Sequence, residues 1–114
     1  MLVTEDTIPW LAGIVEADGY LGAPKCAAKQ NGKVYEYFMP RISVAMTDRD
    51  IVERVANMFG VTPRTKEHRP PRLPVHIATI AGKPALVLML KLFPYLGTRR
   101  RARLAESLSL WEHN

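Results

Sequence analysis

A chain of 114 residues, 47% of them hydrophobic, can bury one modest core and is too apolar to remain a disordered tail. Its 16 Lys and Arg against 11 Asp and Glu leave a formal net charge of +5, which points to nucleic acid or an acidic membrane as partner, or to an inert basic surface. Cys26, the single cysteine, excludes an internal disulfide and a cysteine-based zinc site, and no apolar run nears the ~20 residues that span a bilayer.

Thr7-Ile8-Pro9-Trp10 predicts a helix entry, with Thr7 as cap and proline in the first turn. The helix runs to about Asp18 and stops at Gly19. Strand character follows over Tyr20–Lys29, where Pro24 leaves the facing of the strand open. Asn31-Gly32 signals a tight hairpin. The return strand, Val34–Met46, alternates: Tyr35, Tyr37, Met39, Arg41 and Ser43 point one way, and Phe38, Ile42 and Val44 point to the core. Thr47 or Asp48 caps a second helix, in which Ile51, Val55, Met58 and Phe59 fall at helical spacing before Gly60 ends it. The proline-rich, basic segment from Pro63 to Pro74 predicts a short strand and an exposed loop, then a strand through Val75, Ile77 and Thr79. A third helix, about Lys83–Leu92, has Leu86, Met89, Leu90 and Phe93 as its expected core stripe. Gly97 breaks the chain, and Thr98 caps a last helix with Leu104, Leu108 and Trp111 inward.

The order α-β-β-α-β-β-α-α predicts an α+β fold, an antiparallel sheet with helices on one face. The other face stays free and carries aromatic and basic residues. One domain over 1–114 is expected. The start, Met1 to Asp6, lacks the basic region of a signal peptide, so a soluble intracellular protein is expected. His68, His76 and His113 have no metal-ligand spacing and read as loop, strand and tail residues.

Residues 11–19 carry the most information: Leu11-Ala12-Gly13-Ile14-Val15-Glu16-Ala17-Asp18-Gly19. Gly13 and Ala17 lie four apart on one helix face. A glycine inside a helix costs about 1 kcal/mol against alanine, which suits close approach of another helix. Asp18 stands at the helix C-terminus, where the last carbonyls already carry partial negative charge. A cation bound there offsets that placement; the residues alone favour the plainer reading, two solvated acids, Glu16 and Asp18, at a helix end.

LAGIVEADG resembles the LAGLIDADG signature of homing endonucleases, departing at Ile14, Val15 and Glu16. Trp10, Tyr20-Leu21, the Asp48-Arg49-Asp50 helix start and the Leu96-Gly97-Thr98-Arg99-Arg100 segment extend the resemblance along nearly the whole chain. It implies an αββαββα(α) fold with a saddle-shaped antiparallel sheet. One motif per chain implies a homodimer, with Ala12, Gly13, Glu16 and Ala17 at the interface. Asp18 matches the metal-binding acid, and Gly19 the position whose carbonyl assists; the ion implied is Mg²⁺ or Mn²⁺. The polar residue that positions water near the end of the second strand falls where this chain reads Ala45-Met46-Thr47-Asp48. Met46 cannot serve, which leaves Thr47. Arg99, or Arg100 by a one-residue shift, stands for the late basic residue. Arginine stabilises phosphate charge but is a poor proton donor.

The DNA surface implied is the free sheet face, with Tyr35, Tyr37, Arg41 and Ser43 on the return strand. Lys25, Lys29 and Lys33 lie along the first hairpin, and Arg64, Lys66, Arg69, Arg72 and His76 extend the surface. The resulting expectation is metal-dependent, site-specific cleavage of double-stranded DNA at a partly palindromic site. The alternative is a non-cleaving binder on the same fold, an intron-RNA maturase or a DNA-binding regulator. A basic protein-interaction module, without salt-dependent DNA affinity, is a third.

Overall fold

The computed structural model describes residues 3–112 and 114. The expectation for His113, and the Met1-Leu2 start, lie outside the described residues. The order is α1 (Ile8–Asp18), β1 (Gly19–Gly22), β2 (Lys25–Gln30), β3 (Lys33–Phe38), β4 (Arg41–Met46), α2 (Arg49–Phe59), β5 (Arg64–Lys66), β6 (Val75–Ala81), α3 (Lys83–Leu92), a 3-10 turn at Phe93–Tyr95, and α4 (Thr98–Glu112). The fold is α+β. Four strands form an antiparallel sheet in the order β1-β4-β6-β5, and β2 and β3 form a separate hairpin.

The two strands expected before α2 are each broken in two. Pro24 divides β1 from β2, and Pro40 divides β3 from β4. Proline has no N–H to give to a ladder, so pairing lapses where the two meet. The register does not slip. Gly22 faces Arg41 and Lys25 faces Phe38, and between them the Met39 N–H donates to the Pro24 carbonyl at 3.0 Å. The facing that Pro24 left open in the sequence is therefore settled by an unshifted ladder. At the tip, Asn31 (φ 53°) and Gly32 (φ 77°) both take positive φ, as the hairpin signal required.

Leu21, Ile42, Val44, Ala78 and Ile80 form the buried face of the sheet. Packed into the same core are Leu11 and Val15 of α1, Val52, Val55 and Phe59 of α2, Leu88, Met89 and Leu92 of α3, and Leu104 of α4. Phe38, expected in the core, lies beyond it on the hairpin and is half-buried. The stripe of α3 also differs: Ala85, Leu88, Met89 and Leu92 are buried, whereas Leu90 and Phe93 are exposed and Leu86 is half-buried. This helix is apolar nearly all round, so its own sequence does not single out a face.

The helix caps are less regular than the sequence suggested. The Thr7 hydroxyl turns back to donate to the Thr4 carbonyl at 2.9 Å, and Asp48 precedes α2 without a side-chain cap bond. Gly60 closes α2 in the left-handed conformation, as expected (φ 73°). Arg54 of α2 stacks 3.9 Å from the centre of the Trp10 ring on α1. Asn114 ties the chain back to the hairpin: its side chain accepts from the Phe38 N–H at 2.6 Å and donates to the Phe38 carbonyl at 2.7 Å. Among the described residues no helix is long and apolar enough to cross a membrane.

Candidate functional site

Helix α1 divides cleanly. Ile8, Leu11, Ala12 and Val15 are buried in the chain's own core. Pro9, Gly13, Glu16, Ala17 and Asp18 are exposed. Ala12, expected at a dimer interface, is only 2% exposed and is out of a partner's reach. Pro9, Gly13 and Ala17, spaced by four, make the small outward stripe; Pro9 was missed, although the same spacing counted back from Gly13 finds it. A Cβ built on Gly13 would meet nothing within 4 Å. Packing inside this chain therefore gives no reason for a glycine in mid-helix.

Asp18 ends the helix and is exposed, and Gly19 begins β1 without any loop. Gly19 is extended (φ −92°), so it does not act as the left-handed terminator its position suggested. Close approach is what demands glycine here: a Cβ would lie 2.6 Å from Val15 Cα. Because Gly19 pairs with Val44, the end of β4 runs alongside the end of α1. Met46, on the helix side of the sheet, is half-buried against the core, and Thr47 is exposed in the following bend. Among the described residues no three His, Cys, Asp or Glu side chains cluster as a metal site, so a cation at Asp18 needs donors from outside one chain's side chains.

The arginine run at the start of α4 separates into different roles. Arg101 donates to the Leu96 and Pro94 carbonyls, both at 2.9 Å, and holds the preceding turn. Arg100 is mostly enclosed and its Nε lies 3.6 Å from Glu16 Oε2. Arg99 is exposed, in a hollow shared with Tyr20, Leu21, Arg100, Arg103 and Glu106, the last paired with Arg103 at 3.9 Å. Glu16, expected at a dimer interface, is thus engaged within its own chain, although it remains partly exposed.

The free face of the sheet is an open concavity lined by Tyr20, Pro24, Arg41, Ser43, Arg64, Thr79 and Ala81. The Ser43 and Thr79 hydroxyls meet at 3.0 Å across β4 and β6. Arg41 Nε is enclosed with no hydrogen-bond partner. Arg64 and Lys66 face Ile77 and Val75 across β5 and β6, which puts them on this same side. Strand alternation through the unshifted hairpin adds Lys33, Tyr35 and Tyr37. Tyr20 and Thr79 were not among the expected surface residues; their signal was parity, since both pair with Ser43.

Three expected members fall on the other face. Lys25 pairs with Glu36 at 2.8 Å and sits opposite Phe38, and Lys29 shares its parity. His76 pairs with Met46 on the helix side and is hydrogen-bonded through Nδ1 to the Thr65 hydroxyl at 3.0 Å. The sequence misplaced them because it could not count parity across Pro24 or through the β5–β6 loop. Arg69 and Arg72 are exposed in that loop. The Glu36 carboxyl is held below its ordinary range, first by the hydrogen bond from Lys25 and then by its charge.

No family model matches the chain, and no curated protein sequence matches it. Solved structures do. The homing endonuclease I-CvuI, in complex with its target in the presence of calcium, matches with TM-score 0.65 and 19% identity over 95% of this chain and 65% of its own. The group I intron-encoded homing endonuclease I-CeuI, complexed with DNA, matches with TM-score 0.66 and 17% identity over 98% of this chain and 56% of its own. The LAGLIDADG homing endonuclease I-LtrWI, bound to target DNA, matches with TM-score 0.66 and 15% identity over 96% of this chain and 38% of its own. The chain thus spans less than two thirds of the length of these proteins. What they share with it over nearly all of its residues is the backbone architecture: the chain has the fold of the LAGLIDADG homing endonucleases.

Proposed function

We propose that this chain is one domain of a site-specific, double-strand DNA endonuclease that acts as a homodimer with a divalent metal ion. The observation that carries the reading is the exposed α1 stripe of Pro9, Gly13 and Ala17 ending in a solvent-facing Asp18. Two copies of that stripe packed about a two-fold axis bring two Asp18 carboxylates together. Close like charges repel, and a cation removes the repulsion. The donors fit a hard ion: the Asp18 carboxylate and the Gly19 carbonyl are oxygen ligands that would hold Mg²⁺ or Mn²⁺, with water and phosphate completing the shell. When bound, such an ion polarises the scissile phosphate and makes water more acidic. Thr47 hydrogen-bonds water at the end of β4, and Arg99, the exposed arginine at the start of α4, binds phosphate.

The duplex lies on the free sheet face. Tyr35, Tyr37, Arg41, Ser43 and Arg64 reach base edges, and Lys33, Lys66, Arg69 and Arg72 contact phosphate. A two-fold dimer suits a partly palindromic site. The DNA complexes of the similar folds, one with calcium, support this reading.

The test uses a duplex selected by the protein from a random pool. Asp18→Asn is expected to lower Mg²⁺-dependent cleavage by at least ~100-fold while changing duplex affinity by no more than about twofold. An Asp18→Asn protein that cuts at the wild-type rate refutes the assignment. A non-cleaving nucleic-acid binder, of DNA or intron RNA, is the second reading. It is favoured by one observation, that Met46 packs inward and contributes no polar group at the end of β4. Binding without cleavage by the wild type selects it.

A further inference from the structure

One carboxylate fastens the first turn of α4 to the last turn of α1. Glu16 Oε1 accepts the Gly97 N–H at 3.1 Å, and Glu16 Oε2 lies 3.6 Å from Arg100 Nε. Arg100 also donates to the Glu16 backbone carbonyl at 3.5 Å. A Cβ on Gly97 would fall on Glu16 Oε1, so a side chain there would displace the carboxylate from its present position. The joint links positions 81 residues apart.

Three consecutive arginines at a helix N-terminus oppose the helix dipole. The cost is met locally for two of them. The Glu16 carboxylate stands at ion-pair distance from Arg100, whose enclosed Nε makes no hydrogen bond, and the Leu96 and Pro94 carbonyls take Arg101. Arg99 makes no hydrogen bond or ion pair among the described residues, and it opens onto the hollow beside Tyr20, two residues past Asp18. A guanidinium already matched by a carboxylate must give up that partner to take a phosphate, whereas an unmatched one binds without loss.

We propose that Glu16 is a positioning residue: it clamps the first turn of α4 through Gly97 and Arg100, so that Arg99 presents the free guanidinium to the DNA phosphate beside Asp18. This rests on the nuclease reading above and moves Glu16 from the dimer interface into the support of the catalytic corner. The glutamate touches no substrate. Its effect on turnover runs through the placement of Arg99.

The experiment measures single-turnover cleavage with Mg²⁺, duplex affinity with Ca²⁺ in its place, the dimer mass, and the Gly97 amide resonance. All use the full chain and the selected duplex. Glu16→Ala is expected to cut about tenfold more slowly, as misplacement of a reacting group does, with affinity within about threefold and the dimer intact. The Gly97 amide resonance shifts. Glu16→Gln, whose amide oxygen still accepts from Gly97, recovers most of the rate. Arg99→Ala, an exposed site that does not threaten folding, repeats the loss, and the double variant is no slower than either. Full-rate cleavage by Glu16→Ala overturns the proposal, as does dissociation of its dimer, or equal loss of affinity and rate. A wild type that binds duplex and never cuts it overturns the nuclease reading itself, and the role of Arg99 with it.

Discussion

Replacing Gly13 by alanine separates a helix face turned to solvent from one turned to a second copy of the chain. Within one chain the added methyl meets nothing within 4 Å. The only local effect is then helix propensity, which favours alanine by about 0.8–1 kcal/mol, roughly a four- to fivefold gain in the folding constant. Against a neighbouring helix the same methyl enters a packed seam, and the two-fold axis places it there twice. Overpacking of that kind costs about 1–3 kcal/mol, so the dimer dissociation constant rises by about 5- to 150-fold. Sedimentation equilibrium gives the dissociation constant, and urea unfolding at several protein concentrations gives the stability. The expected pattern is a variant more stable than wild type when dilute, with the gain shrinking as concentration drives association. An unchanged dissociation constant, with a uniform gain in stability at every concentration, would refute the packing of α1 on a second copy.

Two further expectations concern the hairpin and the sheet. Arg41→Ala should cost about 1–3 kcal/mol of affinity and relax the sequence preference, whereas Lys66→Ala should weaken all duplexes alike and reduce the salt dependence by about one unit of slope; binding isotherms over a salt series distinguish them. Glu36 carries a carboxyl lowered from its ordinary 4.5 by Lys25. A lowered folded value contributes stability above the ordinary value, and this is lost as the pH falls through the lowered one. The pair is exposed, so salt screens it. A carboxyl titration followed by NMR should find Glu36 back in the ordinary range in Lys25→Met.

Much of the fold was legible because its signals are local. Asn31-Gly32 asks for positive φ wherever it stands, and Gly60 ends an amphipathic helix by the same preference. The alternation of Arg41, Ile42, Ser43 and Val44 is found as read, inward residues buried and outward ones lining the concavity. The stripe of α3 was not legible, since a helix that offers apolar side chains in every direction leaves the choice of face to the sheet beneath it. The two prolines were visible, but not that they fall in the same gap of the ladder, across which the register is kept.

The candidate site was legible as a motif and not as a mechanism. LAGIVEADG marks the helix and its terminal acid, yet Ala12 and Gly13, adjacent in sequence, end on opposite sides of the chain's own surface. Gly19 signalled a helix end, although what requires it is the backbone of Val15 folded against it. The basic run Arg99-Arg100-Arg101 reads as a single patch of charge. Partners both near and far along the chain divide it into a clamp, a turn lock and an arginine with no partner among the described residues.

By itself the sequence determined the helices, the hairpin tip, the inward set of β4 and the exposed acid closing α1. These follow from propensity, period and turn chemistry, which depend on neighbours a few residues away. Only the tertiary structure decided which lysines share a face with the tyrosines, which side of α3 is core, and which arginine of the run stays unmatched among the described residues. Those outcomes depend on contacts between distant segments, such as Glu16 with Gly97 and Arg100, and local sequence carries no energy term for a partner that the fold has yet to deliver.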